Sequence, residues 1–346
     1  SSSFGVSFFS MVILFYYLFE FKGNKTNGKI GVEKYPFQFC IVNAKICCIL
    51  ISGKTNMETI VVRAFAKINL AIDVVGKRDD GYHLVDMVTI PLKLHDSVEI
   101  QAQQNGGDTF LYCDDPSLVC DESNLAYKAL NLVQNNFDVK GAYTIFIYKK
   151  IPVEAGLGGG SADAAAVIRA LARYIPEEQK EKEKKIMSLS TKIGADVPFC
   201  LVNKPCRVNG IGEKLTPIKV AYPYHVLIVK PNLGLSTKSV YEAYDRIQDE
   251  ISHPNIDQLL VGLEKGDEEL IKHNMANVLS APAIKALPLI ADLLEEMQMM
   301  NFPLSGMSGT GSACFALSKD KHLLERAAHV FEKEGNLTYL TEFNLL

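Results

Sequence analysis

Gly156-Leu157-Gly158-Gly159-Gly160-Ser161 runs without interruption into Ala162-Asp163-Ala164-Ala165. Four glycines in five residues raise the entropic cost of folding, so a segment used only for packing would not choose them. Placed before an Ala-rich helix, they let consecutive N–H groups approach an anion at the positive helix end. The chemistry this predicts is a phosphate cradle. Its spacing matches neither G-x-x-x-x-G-K-[ST] nor G-x-G-x-x-G with an acidic residue about 20 positions on, which disfavours Walker and dinucleotide folds. The competing structural reading is a flexible loop between a strand and a helix.

Phosphoryl transfer needs charge neutralisation, an aligned hydroxyl and usually a carboxylate to accept or orient the hydroxyl proton. Asp196 is a candidate, set among small and apolar residues in Ile193-Gly194-Ala195-Asp196-Val197-Pro198-Phe199. From the residues alone it is equally a helix cap. Lys67 and Asn69, two apart, share a face if their segment is extended. A lone lysine is by default a solvated one. Tyr82 and His83 follow the turn residues Asp79-Asp80-Gly81, a position suited to a binding loop but also to a packing tyrosine.

Four blocks, in order, carry a family resemblance. They are Ala66-Lys67-Ile68-Asn69-Leu70 with Asp80-Gly81-Tyr82-His83, then Pro152 to Ala165, then Gly194 to Phe199, and Met307-Ser308-Gly309-Thr310-Gly311-Ser312. The sequence resembles the GHMP kinases, and among them the branch whose acceptor is a cytidine diphosphate-linked methylerythritol, in the non-mevalonate route to isoprenoids. The resemblance implies an ATP-dependent kinase with Mg2+, Asp196 and Lys67 as a coupled catalytic pair, and Asn69, Tyr82, His83 and Tyr241 at the acceptor, with Tyr82 and Tyr241 on the two faces of the cytosine. It implies that Gly156, Leu157, Gly158, Gly159, Gly160, Ser161 and Ala162 hold ATP phosphates, with Asn124 and Lys149 near the adenosine. Asn124 could equally continue a cap at Ser123. Ser308 to Ser312 resembles a motif that supports the phosphate loop. Glu154 and Ala162 depart from the pattern, and no side chain identifies itself as a metal ligand. Other readings are a homoserine- or mevalonate-type kinase and a noncatalytic or membrane-tethered nucleotide-binding protein.

The elements that must position these residues begin at Met57. Thr59–Phe65 and Leu70–Val75 read as strands separated by residues 66–69, and Asp96–Gln101, Tyr143–Tyr148 and Tyr224–Lys230 as further strands. Helices are expected over Asn124–Phe137 with Ser123 as cap, Ala162–Tyr174, Ser239–Gln248, and near 256–263, 283–300 and 320–334. Glu177–Lys185 reads as a solvated connection or exposed helix face. The resemblance implies an α+β protein with a ribosomal-protein-S5-like N-terminal domain over 57–215 and a ferredoxin-like C-terminal domain over 216–346, the site lying between them.

Composition fits this. The chain has 346 residues, 48% hydrophobic and 22% charged, which suits a soluble globular protein and excludes a disordered tail. Residues 1–56 hold six Lys, no Arg and two Glu, so their net +4 leaves −8 on the other 290. That balance argues against a nucleic-acid partner. Residues 1–19 are uncharged and apolar, at the lower margin of a membrane span. The expectation is an upstream extension or hydrophobic leader outside the fold. For 57–346 it is a cytoplasmic enzyme with no membrane contact, a monomer or homodimer. Cys113, Cys120, Cys200, Cys206 and Cys314 lack zinc-site spacing and are expected to be buried small hydrophobes.

Overall fold

The computed structural model describes residues 38–42, 45–49, 59–103, 107–176, 179–247 and 251–345. The chain divides into two compact units, Ser1–Thr55 and Asn56–Leu346. In the first, β1 (Gln38–Val42) and β2 (Lys45–Ile49) pair antiparallel. The apolar stretch 1–19 lies outside the described residues.

The second unit is built on two sheets. Strand β3 (Thr59–Lys77) pairs along its length with β4 (His83–Gln103), and the chain reverses through Gly81 at φ 87°. Strand β4 also pairs with β6 (Ala142–Tyr148) and β7 (Cys206–Gly210). With β5 (Phe110–Cys113) parallel to β6, and β8 (Lys214–Pro217) beside β7, this makes six strands. The second sheet is antiparallel, in the order β10 (Ser305–Met307), β11 (Cys314–Ser318), β9 (His225–Lys230), β12 (Leu337–Glu342). The mixture of segregated sheets and helices is the expected α+β class.

One expectation needs correction. Residues 66–69 do not separate two strands; they lie within β3, where the pairing slips between Phe65 and Lys67 and again between Asn69 and Ala71. A bulge opposes two residues to one and re-aims side chains without ending the strand. Burial is continuous from Ala66 to Ile72, which erases the alternation by which a strand is recognised.

Helix α1 (Leu125–Asn136) is capped by Asn124, not Ser123, through a 2.9 Å bond from Ala126 N to Asn124 Oδ1. Helix α2 (Gly159–Leu171) starts inside the glycine run, earlier than expected, and continues as a 3-10 turn over Ala172–Tyr174. Ala162, Ala164, Ala165, Ala166 and Ala170 are all buried, because α2 packs on β3, β4 and α1 and only small side chains permit that approach. Helix α3 (Gln179–Ser190) presents the expected exposed charged face, and α4 (Val197–Val202) follows Asp196.

Helices α5 (Thr237–Tyr244), α6 (Ile256–Lys265) and α7 (Glu268–Asn274) precede a segment expected as one helix over 283–300. It is two, α8 (Ser280–Ala286) and α9 (Leu289–Met299), broken at Pro288, which has no N–H to continue the first. Helix α10 (Lys321–Lys333) begins at the Asp320 cap. The two sheets are joined by backbone bonds from Ile72 N to Ala276 O, Val278 N to Ile72 O and Asn344 N to Pro91 O. Cys200, Cys206 and Cys314 are buried as expected, but Cys113 is half-buried and Cys120 exposed.

Candidate active site

The glycine run folds as a left-handed turn that delivers its helix end-on to a cavity of about 1010 Å³. Gly156 and Gly158 both have φ 72°, a conformation that costs an L-residue with a Cβ about 1–2 kcal/mol. Space requires glycine as well: a Cβ on Gly156 would stand 2.1 Å from Ser308 O, and one on Gly158 3.1 Å from Lys67 Cγ. The N-cap Gly158 offers no side chain to its helix, so the first-turn N–H groups of Gly159, Gly160 and Ser161 have no helical acceptor. The next amide is taken: Ala162 N donates to Gly158 O at 2.9 Å. Ala162 itself is buried and does not line the cavity.

The last glycine block braces this loop. Ser308 Oγ donates to Gly156 O at 3.0 Å and accepts from Asn69 N, and Ala313 N donates to Ala155 O. On the other side Lys67 N donates to Leu157 O at 3.0 Å, so the bulged part of β3 is tied to the loop.

Beneath Gly158 sit Lys67 and Asp196, with Lys67 Nζ 3.4 Å from Asp196 Oδ2. Asp196 holds the N-cap position of α4, yet its side chain makes no cap hydrogen bond. It faces the lysine instead, so it does not act as the helix cap. Lys67 is 4% exposed and Asp196 32%, so the cation is fixed while the carboxylate remains reachable from the cavity. Lys67 Nζ also donates to Asn69 Oδ1 at 2.7 Å, and Asn69 Nδ2 donates to Thr89 Oγ1 at 2.9 Å. Two bulges thus bring Lys67 and Asn69 to one point.

At the cavity's far end His83 stacks on Tyr241, ring centroids 4.7 Å apart and 26° between planes. Tyr82 lines the cavity and is 59% exposed. His83 covers one face of the Tyr241 ring. His83 Nε2 lies 2.6 Å from Asp245 Oδ1, and Lys77 Nζ 2.6 Å from Asp245 Oδ2. Burial opposes ionisation of Asp245, but the bonds from Lys77 and His83 outweigh it and hold the carboxyl below its usual range. Burial, with the charge of Asp196 adding, pushes the Tyr241 phenol up, so it stays protonated at neutral pH.

Asn124 and Lys149 also line the cavity, but their side chains are engaged locally. Asn124 caps α1 and donates to Val119 O. Lys149 Nζ is bound by Asp96 Oδ2 at 2.6 Å and Asp163 Oδ2 at 2.8 Å, all three side chains nearly sealed from solvent. Burial lowers the Lys149 pKa, but the two carboxylates outweigh it and hold it raised. Burial pushes Asp163 up to about 7, opposed by Lys149 and reinforced by Asp96. Glu154, the acidic departure, lies over Gly234, where a Cβ would collide with its carboxylate.

Sequence reasoning missed Asp96, Asp163 and Asp245. Asp163 carried a signal, a charged residue inside an Ala-rich helix with apolar neighbours; Asp96 and Asp245 carried none.

A glycine turn at a helix start, over a Lys–Asp pair in a cavity between strands and helices, defines a small-molecule kinase of the GHMP class. The family description "GHMP kinases N terminal domain" matches residues 124–204, and "GHMP kinases C terminal" matches 259–337. The chain belongs to the 4-diphosphocytidyl-2-C-methyl-D-erythritol kinase family of ATP-dependent enzymes. A relative of that name from Clostridium botulinum (strain Alaska E43 / Type E3) is 39% identical over 272 residues, covering 79% of this chain and 94% of its own. One from Clostridium kluyveri is 40% identical over 263 residues, covering 75% and 91%. A crystal structure of 4-(cytidine 5'-diphospho)-2C-methyl-D-erythritol kinase superposes with TM-score 0.68 at 29% identity, covering 82% of this chain and 99% of that one. A homoserine kinase from Cytophaga hutchinsonii, at 19% identity and TM-score 0.62, shares the fold.

Proposed function

We propose that the protein transfers the γ-phosphoryl group of ATP to the 2-hydroxyl of 4-diphosphocytidyl-2-C-methyl-D-erythritol, a step of non-mevalonate isoprenoid biosynthesis. The observation that carries the mechanism is the Lys67–Asp196 pair directly under Gly158. The substrate hydroxyl oxygen attacks the γ-phosphorus, its proton passes to Asp196 Oδ2, and the bond to the bridging oxygen breaks to release ADP. Lys67, fixed by Asn69, stands beside Asp196 and offsets negative charge on the transferring group. The N–H groups of Gly159, Gly160 and Ser161 receive phosphate oxygens. The expected domain boundary at 215/216 falls inside β8 (Lys214–Pro217); the strands of the two sheets lie within 59–217 and 225–342, so the proposed division follows Pro217.

The donor set suits Mg2+. Among the described residues no three His, Cys, Asp or Glu converge as a metal site, and Mg2+ bound to ATP needs only one or two protein oxygens besides phosphates and water. Ser161, with a hydroxyl at the start of α2, is the residue that would hold it. When bound, the ion would supply positive charge that neutralises phosphate oxygens.

For the cytidine end, His83 Nε2 donates to Asp245 Oδ1, which leaves Nδ1 for the polar edge of cytosine. Tyr241 and Tyr82 supply faces for the base. Base stacking contributes about 1–3 kcal/mol, so Tyr241→Ala should raise the KM for the cytidine substrate between about 5- and 150-fold, with ATP unaffected. Steady-state coupled ADP release with each substrate varied checks this; a loss confined to ATP would place the base elsewhere. Asp245→Asn should raise the same KM about tenfold, the worth of one charge-assisted hydrogen bond. An unchanged KM would show that His83 is held without it.

No helix among the described residues is long and apolar enough to cross a membrane. The experiment that tests the proposal as a whole is ADP release from the chain with the cytidine substrate, homoserine and mevalonate offered separately. Turnover requires the cytidine diphosphate group if the reading holds, and turnover of homoserine or mevalonate alone overturns it.

A further inference from the structure

Lys149 was expected at the nucleotide, yet its ammonium is buried between two carboxylates and cannot reach a ligand as a free cation. The arrangement around it is larger than an ion pair. Asp96 Oδ1 accepts from the backbone N–H of Lys150, at 2.5 Å, and of Ile151, at 2.8 Å. These two residues are the entrance to the segment that becomes the glycine turn. Asp163 stands on the first turns of α2, immediately after its exit. Lys149 Nζ links the two and lies 3.3 Å from where a Cβ of Gly159 would be, directly below the first helical residue. Asp163 Oδ1 is, among the described residues, the one buried side-chain oxygen or nitrogen with no hydrogen-bond partner, and Asp163 lines the cavity.

We propose that Asp96, Lys149 and Asp163 form a buried clamp that fixes both ends of the phosphate-binding turn, with Asp96 and Asp163 as positioning residues for ATP. The inference rests on the reading of residues 156–161 as the phosphate site. Two carboxylates around one ammonium are an expensive way to hold a core together, since apolar residues of similar volume often do so as well. What the charges add is direction. Asp96 ties the entrance to β4 by three bonds, two of them to backbone, and Lys149 transmits that anchor to α2. The N–H groups of Gly159, Gly160 and Ser161 are then presented before ATP arrives, so binding does not have to order them.

The test is the double variant Lys149→Met with Asp163→Asn, which cuts the link to α2 without leaving a buried unpaired cation and leaves Asp96 its backbone donors. The expected result is a KM for ATP raised about tenfold or more, with the KM for the cytidine substrate within about twofold and a smaller ATP-induced rise in thermal midpoint. Asp163→Asn alone, which keeps an acceptor for Lys149, should show the same split with smaller amplitude and serves if the double variant does not fold. An ATP KM at the wild-type value, or an equal rise for both substrates, overturns the clamp. Gly158→Val separates this from failure of the underlying reading. If ATP affinity survives that change, residues 156–161 do not hold phosphate; if it falls there while the clamp variants bind normally, only the clamp is wrong.

Discussion

Asp196→Asn is expected to lower kcat by about 10²–10⁴-fold, the range contributed by a positioned general base, while both KM values stay within about threefold. The geometry makes this an unusually clean substitution. Asn has the shape of Asp, and the carboxylate makes no cap bond to α4, so the helix loses nothing when the charge goes. Lys67 keeps its 2.7 Å bond to Asn69 Oδ1 and is not left without an acceptor in a buried position. The phosphate turn, tied to Lys67 through its backbone N–H rather than its ammonium, is likewise undisturbed. What disappears is the carboxylate of a partly exposed side chain that lines the cavity, able to take a proton from a hydroxyl. Steady-state turnover, with folding followed by circular dichroism, measures both sides of this expectation. A variant that retains kcat within about tenfold of wild type would remove Asp196 from the chemistry and leave its approach to Lys67 as structural.

Gly156→Ala should act on stability before it acts on catalysis. Its φ of 72° costs a residue bearing a Cβ about 1–2 kcal/mol. The new methyl group would also stand 2.1 Å from Ser308 O, a backbone atom held by the bond from Gly311 N to that same oxygen. Overpacking of this kind adds about 1–3 kcal/mol. At roughly 2–4 °C per kcal/mol for a chain of this size, the thermal midpoint should fall about 5–15 °C. Scanning calorimetry with and without ATP tests it, and ATP should restore little, since the displaced segment is the one that receives phosphate. A midpoint within about 2 °C of wild type would mean that the Ser308 turn yields, and that its contact with Gly156 does not hold the loop.

The sequence by itself determined the chemistry and the order of its parts. Glycines at 156 and 158–160 before an Ala-rich helix point to a phosphate site, and at 156 and 158 the backbone takes left-handed angles that a residue with a Cβ rarely adopts. Lys67, Asn69 and Asp196 were legible as candidates because their residue types suit phosphoryl transfer and their neighbours match a family. Local signals run over a few residues, however, and several decisions were made over longer distances. Whether Asp196 caps α4 or faces Lys67, 129 positions away in the chain, depends on β3 folding against that helix. The bulges that aim Lys67 and Asn69 inward lie in a strand buried on both faces, where the period of two is lost. Tyr241 and His83 meet because Asp245, at the end of α5, grips the β3–β4 hairpin. The resemblance places Lys149 near the adenosine. Only the tertiary structure could surround it with Asp96 and Asp163, because a charge shows its partners when burial removes the water that would otherwise replace them.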